Sequence, residues 1–511
     1  MELKYLLKDE IYQSITGMTD NIDIKEITND SRKCKRGSLY FAVPGAVVNG
    51  AEFIPECIDA GVSCIITECG KKDIEELIGN KKITEINIPI VKVENIRCTM
   101  GRVSSLFYGE PSKKLTVIGI TGTKGKTTTS YMIREMLIAA GHKTGLAGTI
   151  EIIDGKTRTP SVNTTPESII LHKKFRDMVE NGLDSVVMEV SSQALKLDRV
   201  SGVDFDYGIF TNLSPDHIGK NEHASYEEYR DCKKKLFSMC KTGIFNIDDE
   251  EADYMKSDAS CKILTFGKKT GSDYEASGHE LFHRDGELGI AFELKGKKNM
   301  HIEVGLPGEF SIHNSLAAIA VADSMNVPME RIAEILKTIK VRGRVEMLPI
   351  STEFTFMIDY AHNGMALKSL LTAIHEYHPK RIITIFGCGG NRAKSRRYEM
   401  GEASGKYSDF TIITSDNPRF EEPEEIMNDI ETGIKKTGGK YIKVTDRKEA
   451  VRYGIMNAVP GDVVILAGKG HEDYQEIKGV KYHMDEREIV KEVLEEEDAT
   501  KICGYNNRYL A

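Results

Sequence analysis

The sequence predicts a multidomain α/β protein whose domains are built on mostly parallel sheets. Short apolar runs alternate with helical segments, which is typical of strand–helix–strand units, and one run ends in a glycine-rich loop that leads into a helix. The chain has 511 residues, more than one hydrophobic core usually organises. We therefore expect three domains: a small N-terminal α/β domain at 1–110, a central domain at 111–342 with a mostly parallel sheet, and a C-terminal Rossmann-like α/β domain at 343–511.

Composition narrows the class of protein. No apolar run approaches the ~20 residues of a membrane span, and the first residues lack the pattern of a signal peptide. The ten cysteines include no C-x-x-C pair, which argues against a zinc ribbon. A net charge of −9 disfavours nucleic acid as a partner. We expect a cytoplasmic protein without a membrane partner.

The first hundred residues alternate strands and helices. Predicted strands lie at 38–43, 64–67 and 90–93, and a helix lies at 51–60. The sequence Y-G-E-P-S at 108–112 suits a linker, so the first domain is expected to end there.

The central domain opens with a glycine-rich loop after the β-branched run 115–120, which predicts a buried strand. A strand, a glycine loop and a helix N-terminus form a phosphate cradle, because backbone N–H groups and the helix dipole face the anion. Lys126 is placed to reach the outer phosphates of a nucleoside triphosphate, and Thr127 to offer its hydroxyl to Mg²⁺.

This loop is a variant of the strict phosphate-loop pattern. G-x-x-x-x-G-K-[ST] would place glycine where this chain has Ile120. The alternative is a plain glycine turn with a chance lysine, but the position between strand and helix favours nucleotide binding. The expected nucleotide-binding residues are Thr121, Gly122, Thr123, Lys124, Gly125, Lys126, Thr127 and Thr128.

Two further strands of the central domain lead into polar side chains. The run 186–188 ends at Glu189, a hard oxygen ligand of the kind Mg²⁺ prefers. The run 207–212 leads to His217, whose position after a second strand favours a functional role. A helix at 226–237 carries three lysines in a row, and spacing alone predicts that they form a solvated face.

Three predicted strands of the C-terminal domain end in polar loops. The strands 382–386, 410–414 and 463–466 are followed by loops that carry Arg419 and Glu472. Parallel sheets bind ligands at the carboxyl ends of their strands, so a charged ligand is expected here. Ordinary turn chemistry explains the glycines of these loops but not the arginine or the glutamate.

Together these motifs resemble the Mur ligase family, the ATP-dependent amide-bond ligases of peptidoglycan precursor assembly. The resemblance runs from about Asp30 to Glu472 and is greatest to the members that add the third amino acid to UDP-N-acetylmuramoyl-L-alanyl-D-glutamate. The motifs are T-G-T-K-G-K-T-T (121–128), N-T-T-P (163–166), E-V-S-S-Q-A-L (189–195), S-P-D-H (214–217), G-E-F-S-I-H-N (308–314), G-R (343–344) and D-Y-A-H (359–362).

The resemblance implies the fold and the substrate sites. The N-terminal domain would bind UDP, with Ser31 in the D-S-R triplet as a contact, and the central domain would be a phosphate-loop ATPase. The positions that hold the UDP-muramoyl peptide correspond to Thr164, Thr165, Ser191, Leu197 and Arg199.

The resemblance also implies ATP and Mg²⁺ as cofactors. Lys233 matches a lysine that is carbamylated in the family, a change that turns a cation into an anionic oxygen ligand. The implied catalytic residues are Lys126, Glu189, His217 and Lys233, and the implied metal ligands are Thr127, Glu189, His217 and carbamylated Lys233. The implied adenine, phosphate and ribose contacts are Asn314, Arg344 and Asp359.

The C-terminal domain resembles the members that use meso-diaminopimelate, through G-C-G-G-N-R-A-K-S-R-R (387–397) and D-N-P-R (416–419). In those members the D-N-P-R arginine pairs with the carboxylate at the far end of the amino acid, a task that suits a bidentate guanidinium. L-Lysine has no second carboxylate. The implied pocket residues are Arg397, Asp416, Asn417, Pro418, Arg419, Gly468 and Glu472, with Glu472 available for an ammonium group.

One segment departs from this pattern. Many diaminopimelate members continue L-D-x-H-G-T after the D-H pair, whereas this chain has I-G-K-N-E-H-A at 218–224, which is more similar to lysine-adding members. The segment belongs to the ATPase domain, so the D-N-P-R motif carries more weight.

The implied reaction transfers the γ-phosphoryl group of ATP to the D-glutamyl γ-carboxylate, and the amine of meso-diaminopimelate then attacks the acyl phosphate. Three alternatives remain: the same ligation with L-lysine, a folylpolyglutamate synthase-like ligase, and a nucleotide-binding partner protein without catalysis. The expected partners are the UDP-N-acetylmuramoyl dipeptide and meso-diaminopimelate, and the expected state is a monomer.

Overall fold

The computed structural model describes residues 1–17, 21–45, 48–79, 86–219 and 222–496. The chain divides into two compact units, Met1–Thr265 and Phe266–Ala511. Their boundary falls inside the predicted central domain, and the three predicted domain ranges stay a prediction. Within the described ranges, no helix is both long enough and apolar enough to span a bilayer.

The first unit begins with a small sheet in the order β1-β5-β4-β3-β2, in which the neighbours from β2 to β5 are parallel and β1 is antiparallel. The predicted strands at 64–67 and 90–93 are confirmed. The elements are α1 (Leu3–Leu6), β1 (Tyr12–Ser14), β2 (Glu26–Thr28), β3 (Ser38–Phe41), α2 (Ile54–Asp59), β4 (Cys64–Thr67), α3 (Lys71–Gly79), β5 (Ile90–Val93) and α4 (Ile96–Phe107).

The first unit continues with a larger sheet in the order β9-β8-β7-β10-β6-β11-β12-β13. Its elements are β6 (Thr116–Thr121), α5 (Lys126–Ala139), β7 (Thr144–Ala147), β8 (Glu151–Ile153), β9 (Arg158–Pro160), α6 (Ser168–Glu180), β10 (Ser185–Glu189), α7 (Ser192–Lys196), β11 (Phe205–Phe210), α8 (Tyr226–Lys234), β12 (Cys240–Asn246), α9 (Ala252–Lys256) and β13 (Lys262–Gly267).

Strand order places the polar strand ends next to the phosphate loop. β6 pairs in parallel with β10 on one side and with β11 on the other. Glu189 is opposite Ile120, and Phe210 is opposite Thr121, so the three strands end at one edge of the sheet. Ile120, which replaces the glycine of the strict motif, is fully buried in this sheet.

The second unit opens with an antiparallel meander that the sequence did not predict, β14 (Tyr274–Arg284), β15 (Glu287–Gly296) and β16 (Met300–Val304). Much of β14 is exposed, and its polar residues hide the apolar pattern of a strand. Two helices, α10 (Phe310–Ser324) and α11 (Met329–Thr338), pack against the meander.

The C-terminal sheet has the order β17-β18-β22-β19-β20-β21, in which all pairs except β17–β18 are parallel. The three predicted strands are confirmed as β19, β20 and β22, and their ends face the same edge. The elements are β17 (Glu346–Leu348), β18 (Thr355–Asp359), α12 (Gly364–His375), β19 (Arg381–Phe386), α13 (Ser395–Tyr407), β20 (Phe410–Ile413), α14 (Pro423–Lys435), β21 (Tyr441–Lys443), α15 (Arg447–Met456), β22 (Asp462–Ala467), β23 (Tyr474–Ile477), β24 (Val480–His483) and α16 (Glu486–Glu496).

Candidate active site

The phosphate loop connects β6 to α5 and is packed against the end of β11. Gly122 and Gly125 have φ angles of 147° and 87°, which favour glycine. A Cβ at Gly122 would overlap Thr211 Oγ1, which itself donates to Lys124 O at 2.8 Å. Asn212 Oδ1 accepts from Lys124 N at 2.9 Å. Thr211 and Asn212, which directly follow β11, therefore hold the loop in place. Sequence reasoning missed these two residues because their contacts with the loop are nonlocal.

Two lysine side chains meet at one carbonyl oxygen of this loop. Lys126 Nζ donates to Gly122 O at 2.9 Å and to Thr123 O at 3.0 Å. Lys233 Nζ, from α8, donates to the same Gly122 O at 2.9 Å. Lys233 is 2% exposed, so the solvated-face interpretation of this lysine is wrong. The nonlocal contact with the loop, rather than helical spacing, sets its environment.

Lys233 is in an environment that disfavours the ammonium form. Burial lowers the pKa of Lys233 well below its ordinary value, and the nearby charge of Lys126 lowers that pKa further. Asp216 opposes the shift, and the Tyr229 ring centroid lies 4.5 Å from the Lys233 Nζ. A neutral amine is a nucleophile, which is the form that a reaction with CO₂ requires.

The carboxylate of Glu189 is buried at the end of β10 and faces the phosphate loop. Its Oε2 accepts from Thr127 Oγ1 at 3.0 Å, so two predicted metal ligands are brought together. Thr149 N donates to Oε1 at 2.7 Å and Thr149 Oγ1 donates to Oε2 at 3.0 Å. Thr149 was missed by sequence reasoning, although it follows the parallel strand β7 and could have been found by the strand-end rule.

The predicted peptide-binding residues form one network with this carboxylate. Thr165 Oγ1 donates to Glu189 O at 2.9 Å and accepts from Ser191 N at 3.0 Å. Thr164 Oγ1 lies 3.1 Å from Thr149 Oγ1. The N-T-T-P and E-V-S-S motifs therefore meet beside the phosphate loop.

Arg199 extends the network. Its Nη1 donates to Thr165 O at 3.3 Å, and its Nη2 pairs with Glu167 Oε1 at 2.8 Å. Leu197 directly follows α7, two residues before Arg199. Ser31 lies in the small sheet's domain, where it begins a short 3-10 turn.

His217 lies in an exposed loop after β11. Its side chain is 58% exposed, and its Nδ1 is 3.2 Å from Glu222 Oε1. Across the described ranges, no group of three or more His, Cys, Asp or Glu side chains is arranged so that it could hold a metal ion. Lys220 and Asn221, in the segment that departs from the diaminopimelate pattern, lie outside the described residues.

The nucleotide residues predicted in the second unit lie at the end of β18, before β17 and in α10. Asp359 accepts two backbone N–H bonds, each at 2.8 Å. Burial raises the pKa of Asp359, and the charge of Arg344 opposes that rise. The Arg344 guanidinium lies over the Tyr360 ring at 4.7 Å. Asn314 is buried in α10.

The loops after β20 and β22 meet, as predicted. Asn417 Nδ2 donates to Glu472 Oε2 at 2.9 Å. Gly468 has a φ angle of 111°, and a Cβ at this position would lie 3.2 Å from Asp416 Oδ2. Lys469 Nζ donates to Asn417 Oδ1 at 3.1 Å. The sequence predicts that the charged residues of this loop, Lys469 among them, lie at a ligand site, but it did not predict the burial of Lys469, because a lysine between two glycines carries no signal of burial.

Arg419 is held at the end of the D-N-P-R loop. Its Nη1 donates to Gly390 O at 2.6 Å, and its Nε donates to Glu476 Oε2 at 3.1 Å. Its φ angle is 53°, a left-handed conformation that costs roughly 1–2 kcal/mol for a residue other than glycine. A backbone bond from Arg419 N to Glu476 O, at 2.9 Å, stabilises this conformation. A cavity of about 680 Å³ lies against Pro418 and Arg419.

Arg397, predicted for the same pocket, is instead paired internally. It is 1% exposed, and its Nη2 donates to both carboxylate oxygens of Glu421 at 2.8 Å. Its Nη1 donates to Asp429 Oδ2 at 2.9 Å. The role of Arg397 in substrate binding stays a prediction. Arg392, another arginine of the same motif, is exposed.

Three family models match the chain along its length. They are the "Mur ligase family, catalytic domain" at 23–108, the "Mur ligase middle domain" at 120–322 and the "Mur ligase, glutamate ligase domain" at 343–470. The chain belongs to the Mur ligase family. Its α/β fold therefore comprises the N-terminal, middle and C-terminal domains of that family, and the protein is a ligase.

Curated relatives cover nearly the whole chain. A UDP-N-acetylmuramoyl-L-alanyl-D-glutamate–2,6-diaminopimelate ligase of Caldanaerobacter subterraneus is 42% identical over 98% of this chain and 100% of its own. A relative with this name, numbered 2, from Clostridium acetobutylicum is 40% identical over 97% and 100%. A solved structure of a ligase with this name has a TM-score of 0.69 and 27% identity, over 97% of this chain and 99% of its own.

Proposed function

We propose that the protein is an ATP-dependent ligase that adds meso-diaminopimelate to the D-glutamyl γ-carboxylate of UDP-N-acetylmuramoyl-L-alanyl-D-glutamate. It would act in the cytoplasm, as a monomer, in peptidoglycan biosynthesis. The observation that carries the choice of amino acid is the guanidinium of Arg419, held by Gly390 O and by Glu476, whose N–H donates to Asn417. The names of the full-length relatives support the same substrates.

The first step requires two anions to approach each other. The γ-phosphoryl group of ATP is transferred to a carboxylate oxygen, which gives an acyl phosphate and ADP. Lys126, held by two loop carbonyl oxygens, is placed to offset the negative charge that spreads in the transition state. The network of Thr164, Thr165 and Ser191 would hold the peptide next to this loop.

The side chains near the loop fit Mg²⁺. Thr127 and Glu189 offer the hard oxygen atoms that this ion prefers, and a carbamate on Lys233 would add another. His217 completes the proposed set. When bound, Mg²⁺ would neutralise phosphate charge at this site.

The second step selects the amino acid. The amine attacks the acyl carbon, an amide bond forms, and inorganic phosphate leaves. Arg419 would pair with the distal carboxylate of meso-diaminopimelate, and Glu472 with an ammonium group. L-Lysine has no distal carboxylate to pair with the guanidinium, which lowers the affinity for this competitor.

A comparison of amino acids tests this proposal. Wild-type protein is incubated with ATP, Mg²⁺ and the UDP-muramoyl dipeptide, and phosphate release and product mass are measured with meso-diaminopimelate, L-lysine or L-ornithine. We expect kcat/KM for meso-diaminopimelate to exceed that for the other two by at least about 100-fold, equivalent to about 2.7 kcal/mol. A preference for L-lysine would overturn the choice of amino acid. No stimulation by any amino acid would overturn the ligase itself.

A further inference from the structure

Lys469 is a buried cation in the amino-acid site that no substrate prediction uses. Its side chain is 0% exposed, which is rare for lysine unless the charge is paired. Its Nζ donates to Asn417 Oδ1 at 3.1 Å and to Glu472 Oε2 at 3.3 Å, and lies 3.7 Å from Asp416 Oδ1. Three side chains of the predicted pocket therefore share this one ammonium group.

Lys469 connects two loops whose strands are not neighbours. The D-N-P-R loop follows β20 and the G-K-G-H-E loop follows β22, and β19 lies between these strands in the sheet. The sheet therefore does not hold the two loops side by side, and a backbone bridge between Arg419 and Ile477 joins the D-N-P-R loop only to the segment that follows the G-K-G-H-E loop. The contacts of Lys469 and Glu472 with Asn417 provide that link through side chains.

These contacts set the orientation of the Asn417 amide. Two donors, Lys469 Nζ at 3.1 Å and Glu476 N at 2.9 Å, face the same atom of the amide. That atom has to be the oxygen, because a nitrogen would meet two donors. Nδ2 then points to Glu472 Oε2, where it donates at 2.9 Å.

The same network leads to the selecting guanidinium. Glu476 donates its N–H to Asn417, and its carboxylate accepts from Arg419 Nε at 3.1 Å. The carbonyl oxygen of Glu476 accepts from Arg419 N. A change at Lys469 is thus transmitted through Asn417 and Glu476 to the anion-binding end of the site.

Lys469 also affects which oxygen atom of the Glu472 carboxylate is accessible to a ligand. Both contacts that Glu472 makes with Asn417 and Lys469 use Oε2. Within the ranges that the structure describes, Oε1 has no hydrogen-bond partner. One carboxylate oxygen is fixed in the network while the other is left for one ammonium group of the substrate.

We propose that Lys469 is a positioning residue for the incoming amino acid, which orients Asn417 and Glu472 and, through Glu476, Arg419. This inference rests on the proposed function, because it concerns the same amino-acid site. Lys469 does not touch the reacting atoms. Its loss is therefore expected to weaken binding of the amino acid rather than the use of ATP.

The test is Lys469→Met, which keeps the length of the side chain and removes the charge. We expect KM for meso-diaminopimelate to rise at least about tenfold, while KM for ATP and for the UDP-muramoyl dipeptide stays within about twofold, because the contacts of Lys469 lie in the proposed amino-acid site. Lys435→Met, an exposed lysine on α14 that pairs with Glu431, is the control and should leave all three constants unchanged.

The double variant Lys469→Met/Glu472→Gln separates positioning from general destabilisation. It removes the charge of Lys469 together with that of Glu472, so that of the two nearby carboxylates only Asp416 loses its cation, and it should destabilise the fold less than Lys469→Met does. If Lys469 acts through Glu472, the double variant raises KM no more than the larger single change. Fully additive losses, or an unchanged KM in Lys469→Met, would overturn the inference. Failure of wild-type protein to use meso-diaminopimelate would instead overturn the proposed function.

Discussion

Single residues in this protein have roles that depend on partners far away in the sequence. Lys233 lies in a run of three lysines, yet it donates to the phosphate loop 111 residues earlier while Lys235 is exposed. Arg397 and Arg419 are both arginines of predicted pocket motifs. Arg397 is paired with two carboxylates and is buried, whereas Arg419 is paired with the single carboxylate of Glu476 and lies at a cavity. Residue type alone does not separate these cases.

The first prediction concerns the buried lysine. Lys233→Ala should reduce kcat at least about 1,000-fold, because it removes both the proposed carbamate oxygen and a loop contact. Added short-chain carboxylates should restore part of the activity, since they supply the missing oxygen. Phosphate release is measured with and without these anions. Lys235→Ala is the control, and an active Lys233→Ala protein would contradict the proposed role.

Elements were predicted more completely than side-chain contacts. Strands β4 and β5 have the predicted bounds. The bounds of β6, β19 and β22 differ from the predicted ones by no more than one residue at either end. These strands are almost entirely buried and mostly apolar, so their pattern is visible in the sequence. The meander β14–β16 was not predicted. Exposure of much of β14 hides its strand pattern, whereas β15 is largely buried and its apolar run was overlooked.

The second prediction tests how strand and loop fit together. Gly122→Ala should abolish phosphate-loop function, because the added methyl group overlaps Thr211 Oγ1 and the φ angle of 147° disfavours a side chain. We expect at least a 100-fold loss in kcat/KM for ATP. Gly79→Ala is the matched control, since a Cβ at that position meets nothing within 4 Å. Equal activity of the two variants would show that the loop tolerates displacement.

At the scale of the whole molecule, the two compact units carry different parts of the proposed reaction. The phosphate loop, Glu189 and the peptide network lie in the first unit, whereas Asn417, Arg419 and Glu472 lie in the second. Activation of the carboxylate and choice of the amine are therefore expected to respond to separate substitutions.

The third prediction uses that division. Arg419→Ala should raise KM for meso-diaminopimelate at least about 100-fold, because the distal carboxylate would lose its proposed guanidinium partner. Acyl-phosphate formation from ATP and the dipeptide should persist, and is measured by positional isotope exchange in ATP without the amino acid. Arg331→Ala, an exposed arginine paired with Glu334, is the control. Equal losses in both partial reactions would contradict the division of roles.

The sequence by itself determined the family, the α/β class, most buried strands and the loops that carry the chemistry, because these depend on local patterns and fixed motif spacing. Tertiary structure decided which side chains of those loops are buried, paired or left for a ligand. Lys233, Thr149 and Lys469 acquire their environments from strands and loops distant in the chain. Burial and electrostatic pairing depend on those nonlocal neighbours, and a one-dimensional pattern does not record them.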